Sequence, residues 1–410
     1  MHRPRLLFIS GSIGLGHVTR DLAMARALRR ALPGVEIDWV AAPPGSDLLR
    51  EAGEHLLPEA ADWADESAVG AELAGRAAAR GRQFQFNVLR SFLANRQLHR
   101  RNVEVFRRCV ADRGYDLILG DETYEIAMAL RARTVRVSVP FIMIYDFIGA
   151  DMGTRNPFEW LGVYVTNRRW AYGYRDAPEV SITACFIGEI EDVPDRRFGP
   201  GLPNRRRWAQ ERCRILGYVL PFDAAACRDK TAMRRKLGYG DGPLVVCTAG
   251  GSGVGQELLQ LCVESFSRAR QRLPELQMEI VGGPRLEVPA SGSPPGLTLR
   301  GYVPDLYEHF AAADLVVTQG GGTTTLELTA LRRPFLYFPL DGHFEQQIHV
   351  AGRLARHRAG VRMNFSETSA ADLADQIASH LGSEVAYKPI PLDGAEKLAE
   401  VAARLLGPVA

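Results

Sequence analysis

Three times in this chain a short apolar run ends in a cluster of glycines and passes at once into a segment with helical spacing. The junctions are Gly11-Ser-Ile-Gly-Leu-Gly-His-Val-Thr-Arg20, Ala249-Gly-Gly-Ser-Gly-Val-Gly255 and Gln319-Gly-Gly-Gly-Thr-Thr-Thr-Leu-Glu327. A brief apolar run bounded by glycine reads as a parallel strand buried on both faces. Strand, glycine turn and helix together make the opening half of a βαβ unit, and such units build parallel sheets. Glycine lets the backbone approach a ligand closely, and the amides at a helix start favour an anion.

The first unit runs from strand Arg5–Ser10 through helix Val18–Leu32, which stops at Pro33-Gly34, to strand Val35–Ala41. An arginine-rich helical region, roughly Ala71–Asp112, follows. Strands are then expected at Leu117–Leu119 and Val135–Val139, on either side of a helix Tyr124–Ala132. Residues 151–214 mix aromatics, prolines and arginines and give no clear rhythm; Phe198-Gly-Pro-Gly-Leu-Pro203 reads as a loop. The alternation restarts with strand Pro243–Ala249, helix Gln256–Leu273 and strands Leu276–Val281 and Leu297–Gly301. Helix Leu306–Ala312, strand Leu315–Thr318, helix Thr324–Leu331 and strand Phe335–Phe338 continue it.

Two such series in 410 residues imply an α/β chain of two Rossmann-like domains facing a cleft. The expected division is 1–221, 222–390 and a last helical segment, 391–410, that returns to the first domain. Ligands of doubly wound sheets bind at the carboxyl ends of the strands, so the chemistry belongs to the loops after them.

Several classes are disfavoured. None of the junctions reads G-x-G-x-x-G, and the second strand ends Val40-Ala-Ala-Pro-Pro44 without the acid that would hold a dinucleotide ribose. The P-loop pattern G-x-x-x-x-G-K-[ST] is absent. The six cysteines form no C-x-x-C pair, which argues against a zinc ribbon and fits a reducing cytosol. The apolar stretch Leu6–Ile9 is too short for a signal peptide, and Val135–Ala150 contains Arg136, Pro140 and Asp146 and does not span a bilayer. His343-Phe-Glu-Gln-Gln-Ile-His349 has poor spacing for a metal, so none is expected.

The segment Gly301-Tyr-Val-Pro-Asp-Leu … Ala313-Asp-Leu-Val-Val-Thr-Gln-Gly-Gly-Gly-Thr-Thr-Thr-Leu-Glu327 … Arg333-Pro-Phe-Leu-Tyr-Phe-Pro339 … His343-Phe-Glu-Gln-Gln347 resembles the donor domain of GT-B glycosyltransferases. The nearest resemblance is to the family of the bacterial peptidoglycan GlcNAc transferase, glycosyltransferase family 28. Ala249-Gly-Gly-Ser-Gly253 resembles that family's diphosphate loop, and Gly14-Leu-Gly-His17 its amino-domain glycine motif. Residues 45–115 and 150–215 carry no matching motif.

The resemblance implies an inverting, metal-independent transferase that uses a nucleotide diphosphate sugar, UDP-linked by preference, as a substrate and needs no cofactor. Glu327 would accept hydrogen bonds from the ribose hydroxyls. Ser252 and the amides of Gly251 and Gly253 would hold the diphosphate, with Gly250 opening that loop. Val303 would lie against the base. Gly321, Gly322, Thr323 and Thr324 would form the next helix start, and Gln346 and Gln347, with His343 beside them, would meet sugar hydroxyls. Gly16 would line the amino-domain loop, and His17 would be the base.

Each has a plainer reading: Glu327 as a surface residue, the glutamines as helix caps, His17 as a local cap. Asp121, after the strand at 117–119, is a second candidate base or else the cap of the following helix; Asp146 is a third. The acceptor is expected to be a small molecule, a lipid-linked compound or a glycan. The arginines (Arg76, Arg80, Arg82, Arg90, Arg96, Arg100, Arg101, Arg107 and Arg108) have only Glu104 as local counter-charge. They read as a solvated face, or as a surface for an anionic acceptor or for lipid headgroups at the inner membrane face. Nucleic acid is not expected, because no groove-reading motif is present. A nucleotide-sugar hydrolase or epimerase on the same fold is the alternative enzyme; a non-catalytic nucleotide-sugar binder is the remaining one.

Overall fold

The computed structural model describes residues 3–11, 15–64, 95–153, 156–173, 181–250, 255–283 and 293–407. The chain divides into two units. Among the described residues, everything up to Pro221 joins the segment from Pro391 onward in the first, and Phe222–Ile390 forms the second.

The first unit is built on a seven-stranded sheet: β1 (Arg5–Ile9), β2 (Glu36–Val40), β3 (His55–Leu56), β4 (Leu117–Asp121), β5 (Phe141–Tyr145), β6 (Ile182–Ile187) and β7 (Cys213–Gly217). The strands lie in the order β3-β2-β1-β4-β5-β6-β7 and pair in parallel. Strand order reverses between β1 and β4, which defines the switch point where loops splay apart and a ligand can enter. One face of the sheet packs Phe106, Ile118, Phe141 and Trp208 among others. The other packs Phe8, Trp39 and Leu119 against helix Leu15–Ala31 and helix Gly394–Leu406, whose Leu398, Ala399 and Ala402 are buried.

The second unit has a six-stranded sheet of β8 (Leu244–Thr248), β9 (Gln277–Val281), β10 (Leu297–Arg300), β11 (Leu315–Gln319), β12 (Phe335–Phe338) and β13 (Val361–Arg362). Its order is β10-β9-β8-β11-β12-β13, again parallel and again with one reversal, between β8 and β11.

Two expectations need correction. The segment Val135–Val139 is not a strand; β5 is Phe141–Tyr145, directly after Pro140. Val-Arg-Val-Ser-Val alternates and has one polar face, whereas β5 sits between two neighbours under helices and must be apolar on both faces, as Phe-Ile-Met-Ile-Tyr is. The irregular stretch 151–214 contains strand β6, the first two residues of β7, and helices Pro157–Tyr172 and Arg205–Arg212.

The arginine-rich region lies partly outside the described residues, which exclude Arg76, Arg80, Arg82 and Arg90. Helix Arg96–Ala111 is amphipathic and buries Asn102, Val105, Phe106 and Cys109. Its arginines meet more than Glu104: Asp62 accepts from Arg101 and Arg108, at 3.5 and 2.7 Å, and Glu104 pairs with Arg107. Short-range sequence counting missed Asp62 because it is contributed by a turn of helix 46 residues before Arg108.

Candidate functional site

Both switch points hold residues singled out by the sequence. In the first unit, the turn after β1 brings the chain over the end of β4. A side chain at Gly11 would press its Cβ to 2.9 Å from the carbonyl oxygen of Asp121, so the position needs glycine. Helix Leu15–Ala31 then starts, with His17 and Arg20 one turn apart on one face.

Asp121 closes β4 and is fully buried. It does not cap the following helix, whose N-cap is Thr123. Its carboxylate instead lies 2.8 Å from His17 Nδ1 and accepts from Arg20 at 2.7 Å through each oxygen. The other guanidinium nitrogen of Arg20 reaches both oxygens of Asp146, also at 2.7 Å. Arg20 also comes within 2.9 Å of His17 Nδ1. A guanidinium only donates, so the buried carboxylate, not Arg20, is the natural hydrogen-bond partner of a protonated Nδ1.

That assignment leaves Nε2 turned toward Glu122, whose Oε2 is 3.8 Å away. Glu122 is buried and holds a positive φ of 51°, a conformation that costs a non-glycine residue energy and that clusters at functional sites. The Tyr124 hydroxyl donates to its other oxygen at 2.9 Å.

The electrostatics follow from this packing. Burial and Arg20 oppose the charged form of His17, but the Asp121 carboxylate outweighs them and the imidazole rises to about 10. Burial also works against ionised Asp121, yet Arg20 and His17 hold it down at about 2. Burial, with Asp121 nearby, pushes the Asp21 carboxyl well above its ordinary value, and Ser10 donates to it at 2.5 Å. Among the described residues, His17, Glu122 and Asp146 are the one group placed to share a metal ion. Arg20 already takes both oxygens of Asp146.

In the second unit the loops after β8 and β11 meet. Gly255, at φ 120°, precedes helix Gln256–Arg272, and a Cβ there would fall 2.1 Å from the Gln319 side-chain nitrogen. Gly250 has φ 79° and donates its amide to Thr248 at 3.1 Å. Gly251, Ser252 and Gly253 lie outside the described residues.

Helix Gly322–Leu331 begins after Gly321, two residues earlier than the sequence suggested, so Thr323 and Thr324 lie in its first turn. Glu327 is half-buried on that helix, with no ion-pair or hydrogen-bond partner among the described residues. Burial alone pushes its carboxyl up to about 8.

The segment after β12 closes on this loop. A Cβ at Gly320 would stand 3.3 Å from Gln346 Oε1, and one at Gly322 3.6 Å from Glu345. Gln346 accepts from the Leu340 amide at 2.9 Å. Gln347 donates to the carbonyls of Pro339 and Leu340, at 3.1 and 2.9 Å, and accepts from Arg362. Both glutamines therefore brace the turn after β12, and the Gln346 amide nitrogen is the group left for a ligand. They begin a π-helical turn, Glu345–Val350, a geometry frequent at functional sites. Burial lowers His343. Val303 follows edge strand β10, two strands from β8.

Sequence reasoning left Arg20 without a role and placed Glu122 at the cleft edge only as the neighbour of Asp121. Arg20 stands in the first glycine junction, one helical turn after His17, and that spacing was the available signal. Nothing local marks Glu122, because its part depends on β1 and β4 being neighbours.

Two doubly wound units, each with glycine loops at its switch point, define an α/β protein of two Rossmann-like units, the GT-B class of fold. The model of the glycosyltransferase family 28 C-terminal domain matches residues 245–399. An uncharacterised glycosyltransferase of Methanopyrus kandleri is 31% identical over 306 residues, covering 74% of this chain and 80% of that protein. The UDP-N-acetylglucosamine–N-acetylmuramyl-(pentapeptide) pyrophosphoryl-undecaprenol N-acetylglucosamine transferase of Clavibacter michiganensis subsp. michiganensis is 29% identical over 265 residues, covering 62% of this chain and 60% of that one. Among solved structures, the glycosyltransferase of kitacinnamycin aligns over 99% of this chain and 95% of its own at 16% identity, with a TM-score of 0.62. The calicheamicin glycosyltransferase CalG4 aligns over 100% of both chains at 16% identity and a TM-score of 0.57. The chain belongs to the family 28 glycosyltransferases.

Among the described residues, no helix is long and apolar enough to cross a membrane.

Proposed function

We propose that this glycosyltransferase moves a sugar from a nucleoside diphosphate, UDP by preference, to an acceptor hydroxyl with inversion at the anomeric carbon. The observation that carries the reading is the pair formed by His17 and Asp121. Asp121 fixes the Nδ1 proton and strengthens the ring as a base, so Nε2 is the atom that takes the acceptor proton. The acceptor oxygen then forms its bond to the anomeric carbon as the bond to the diphosphate oxygen breaks, and the diphosphate leaves with that electron pair. Gly250 and the amides opening helix Gly322–Leu331 favour the leaving charge, which removes the need for a metal. Glu327 takes the ribose hydroxyls, which supply the hydrogen bonds its buried carboxyl lacks. The nucleotide sugar is a substrate, and no further cofactor is required.

The bacterial relative's name includes a pyrophosphoryl-undecaprenol acceptor, so lipid-linked acceptors, met at a membrane face, are the first class to screen. The test is turnover and nucleotide affinity in His17→Ala. Turnover should fall by about 10²–10⁴-fold, the usual weight of a general base, with UDP affinity unchanged. Retained turnover removes His17 as the base. Nucleotide release at full rate without any acceptor would instead indicate a hydrolase.

A further inference from the structure

The loop that leaves β5 carries Asp146 into the His17 cluster and, five residues on, Asp151 into a second polar clamp. Arg205 grips Asp151 through two nitrogens at 2.9 Å, and Arg196 pairs with it at 2.5 Å. Beside this clamp lies a cavity of about 190 Å³ walled by Met152, Trp160, Tyr164, Arg196, Arg197 and Phe198.

Three features of the cavity point to one kind of ligand. Trp160 and Tyr164, one helical turn apart, stack at 5.5 Å and 12° and give it a flat aromatic wall. Trp160 nevertheless remains 45% exposed, so its face is available. The surrounding surface is apolar: of the eight exposed large hydrophobic side chains among the described residues, five (Met152, Phe158, Trp160, Leu161 and Val165) belong to this loop and the helix after it. The charge at the mouth is positive. Asp151 is the one carboxylate and is taken up by Arg205 and Arg196, which leaves Arg197 exposed and without an ion-pair partner among the described residues.

We propose that this cavity binds a one- or two-ring apolar group that carries a negative charge. The flat wall favours a ring, and Arg197 meets the anion. On the transferase reading above, this group is the non-reacting end of the acceptor. Asp146 and Asp151 are at most about 18 Å apart along the extended chain, within the length of one such acceptor.

Calorimetric titration of the full-length protein with naphthalene-2-sulfonate tests the site without donor, acceptor or turnover. Its outcome is therefore separate from that of the transferase reading. Saturable binding is expected, weakened about five- to tenfold in Arg197→Ala. The uncharged 2-naphthalenemethanol should bind more weakly and be indifferent to Arg197→Ala, while Trp160→Ala should weaken both probes. Both side chains are exposed, so the variants should keep the wild-type melting temperature. Equal binding of the charged and uncharged probes, or no loss in Arg197→Ala, overturns the anion. Farnesyl phosphate binding tighter than the sulfonate overturns the ring. Displacement of the sulfonate by UDP would place the probe at the nucleotide site and overturn the cavity itself.

Discussion

Arg20 holds Asp121 by both carboxylate oxygens at 2.7 Å, and both residues are buried. With its other nitrogen on Asp146, the same guanidinium ties the ends of β4 and β5 to the helix that carries His17. The site is thus a set of opposite charges withdrawn from water, in which removal of one member exposes the others to an uncompensated field. Arg20→Met should destabilise the protein by about 3–5 kcal/mol, because Asp146 loses its partner and buried Asp121 is left with His17 alone. Urea denaturation at neutral pH measures it; a loss below about 1 kcal/mol would show the pair to be solvent-screened.

The Asp121 carboxylate has a second consequence, visible in the pH profile. With His17 raised to about 10, the imidazole is mostly protonated at neutral pH, and the base form grows as pH rises. On the proposed mechanism, kcat/KM should increase about tenfold per pH unit from neutrality toward a plateau near pH 10. Asp121→Asn removes the group that raises His17, so the rising limb should move to lower pH while the plateau falls. An unshifted limb in that variant would separate the titration from His17.

Glu327 offers a test of the proposed nucleotide site that does not depend on turnover. Its carboxyl, raised to about 8 by burial, is largely protonated at neutral pH in the empty site. Hydroxyls donating to it would favour the charged form and expel the proton. UDP binding should therefore release protons near neutrality, seen as a binding enthalpy that varies with the ionisation enthalpy of the buffer. Glu327→Gln should abolish that dependence and weaken UDP binding. A buffer-independent enthalpy in the wild type rules out Glu327 as the ribose contact.

Gly255 bears on stability in the second unit. Its φ of 120° and the Gln319 side chain 2.1 Å from any Cβ both exclude a larger residue. Gly255→Ala should cost about 2–3 kcal/mol, by the backbone strain and the clash together. Adding Gln319→Ala should recover the part due to that side chain and leave the strain together with the contact to the Ala249 Cβ at 2.8 Å. Chemical denaturation of the single and double variants separates the two.

The fold class was legible because glycine junctions and continuous apolar runs are local signals. Helix Leu306–Ala312 and strand Phe335–Phe338 were readable to the residue: the helix follows Pro304-Asp305, and the strand is flanked by Pro334 and Pro339. Val135–Val139 misled because alternation satisfies a half-exposed strand, while burial in the middle of a parallel sheet demands the Phe141–Tyr145 pattern. Strands β6 and β7 were hidden in a stretch whose arginines and aromatics look like surface, yet Arg205 and Trp208 are buried, Arg205 pairing with Asp151 and Trp208 donating to the Ala171 carbonyl. His17 and Asp121 were both visible as candidates, but their 2.8 Å contact spans 104 residues and follows only from the parallel pairing of β1 with β4.

The helix Gly394–Leu406 lays Leu398, Ala399 and Ala402 into the core beneath helix Leu15–Ala31. Among the described residues the second unit, by contrast, comes from the single segment Phe222–Ile390. During synthesis the stretch made first must therefore wait for residues beyond 390 to leave the ribosome before its hydrophobic face is covered, whereas the middle stretch is complete earlier. The unit that holds His17 is begun first and finished last, and a chain stalled before its final helix would present a folded second unit joined to an open, aggregation-prone first one.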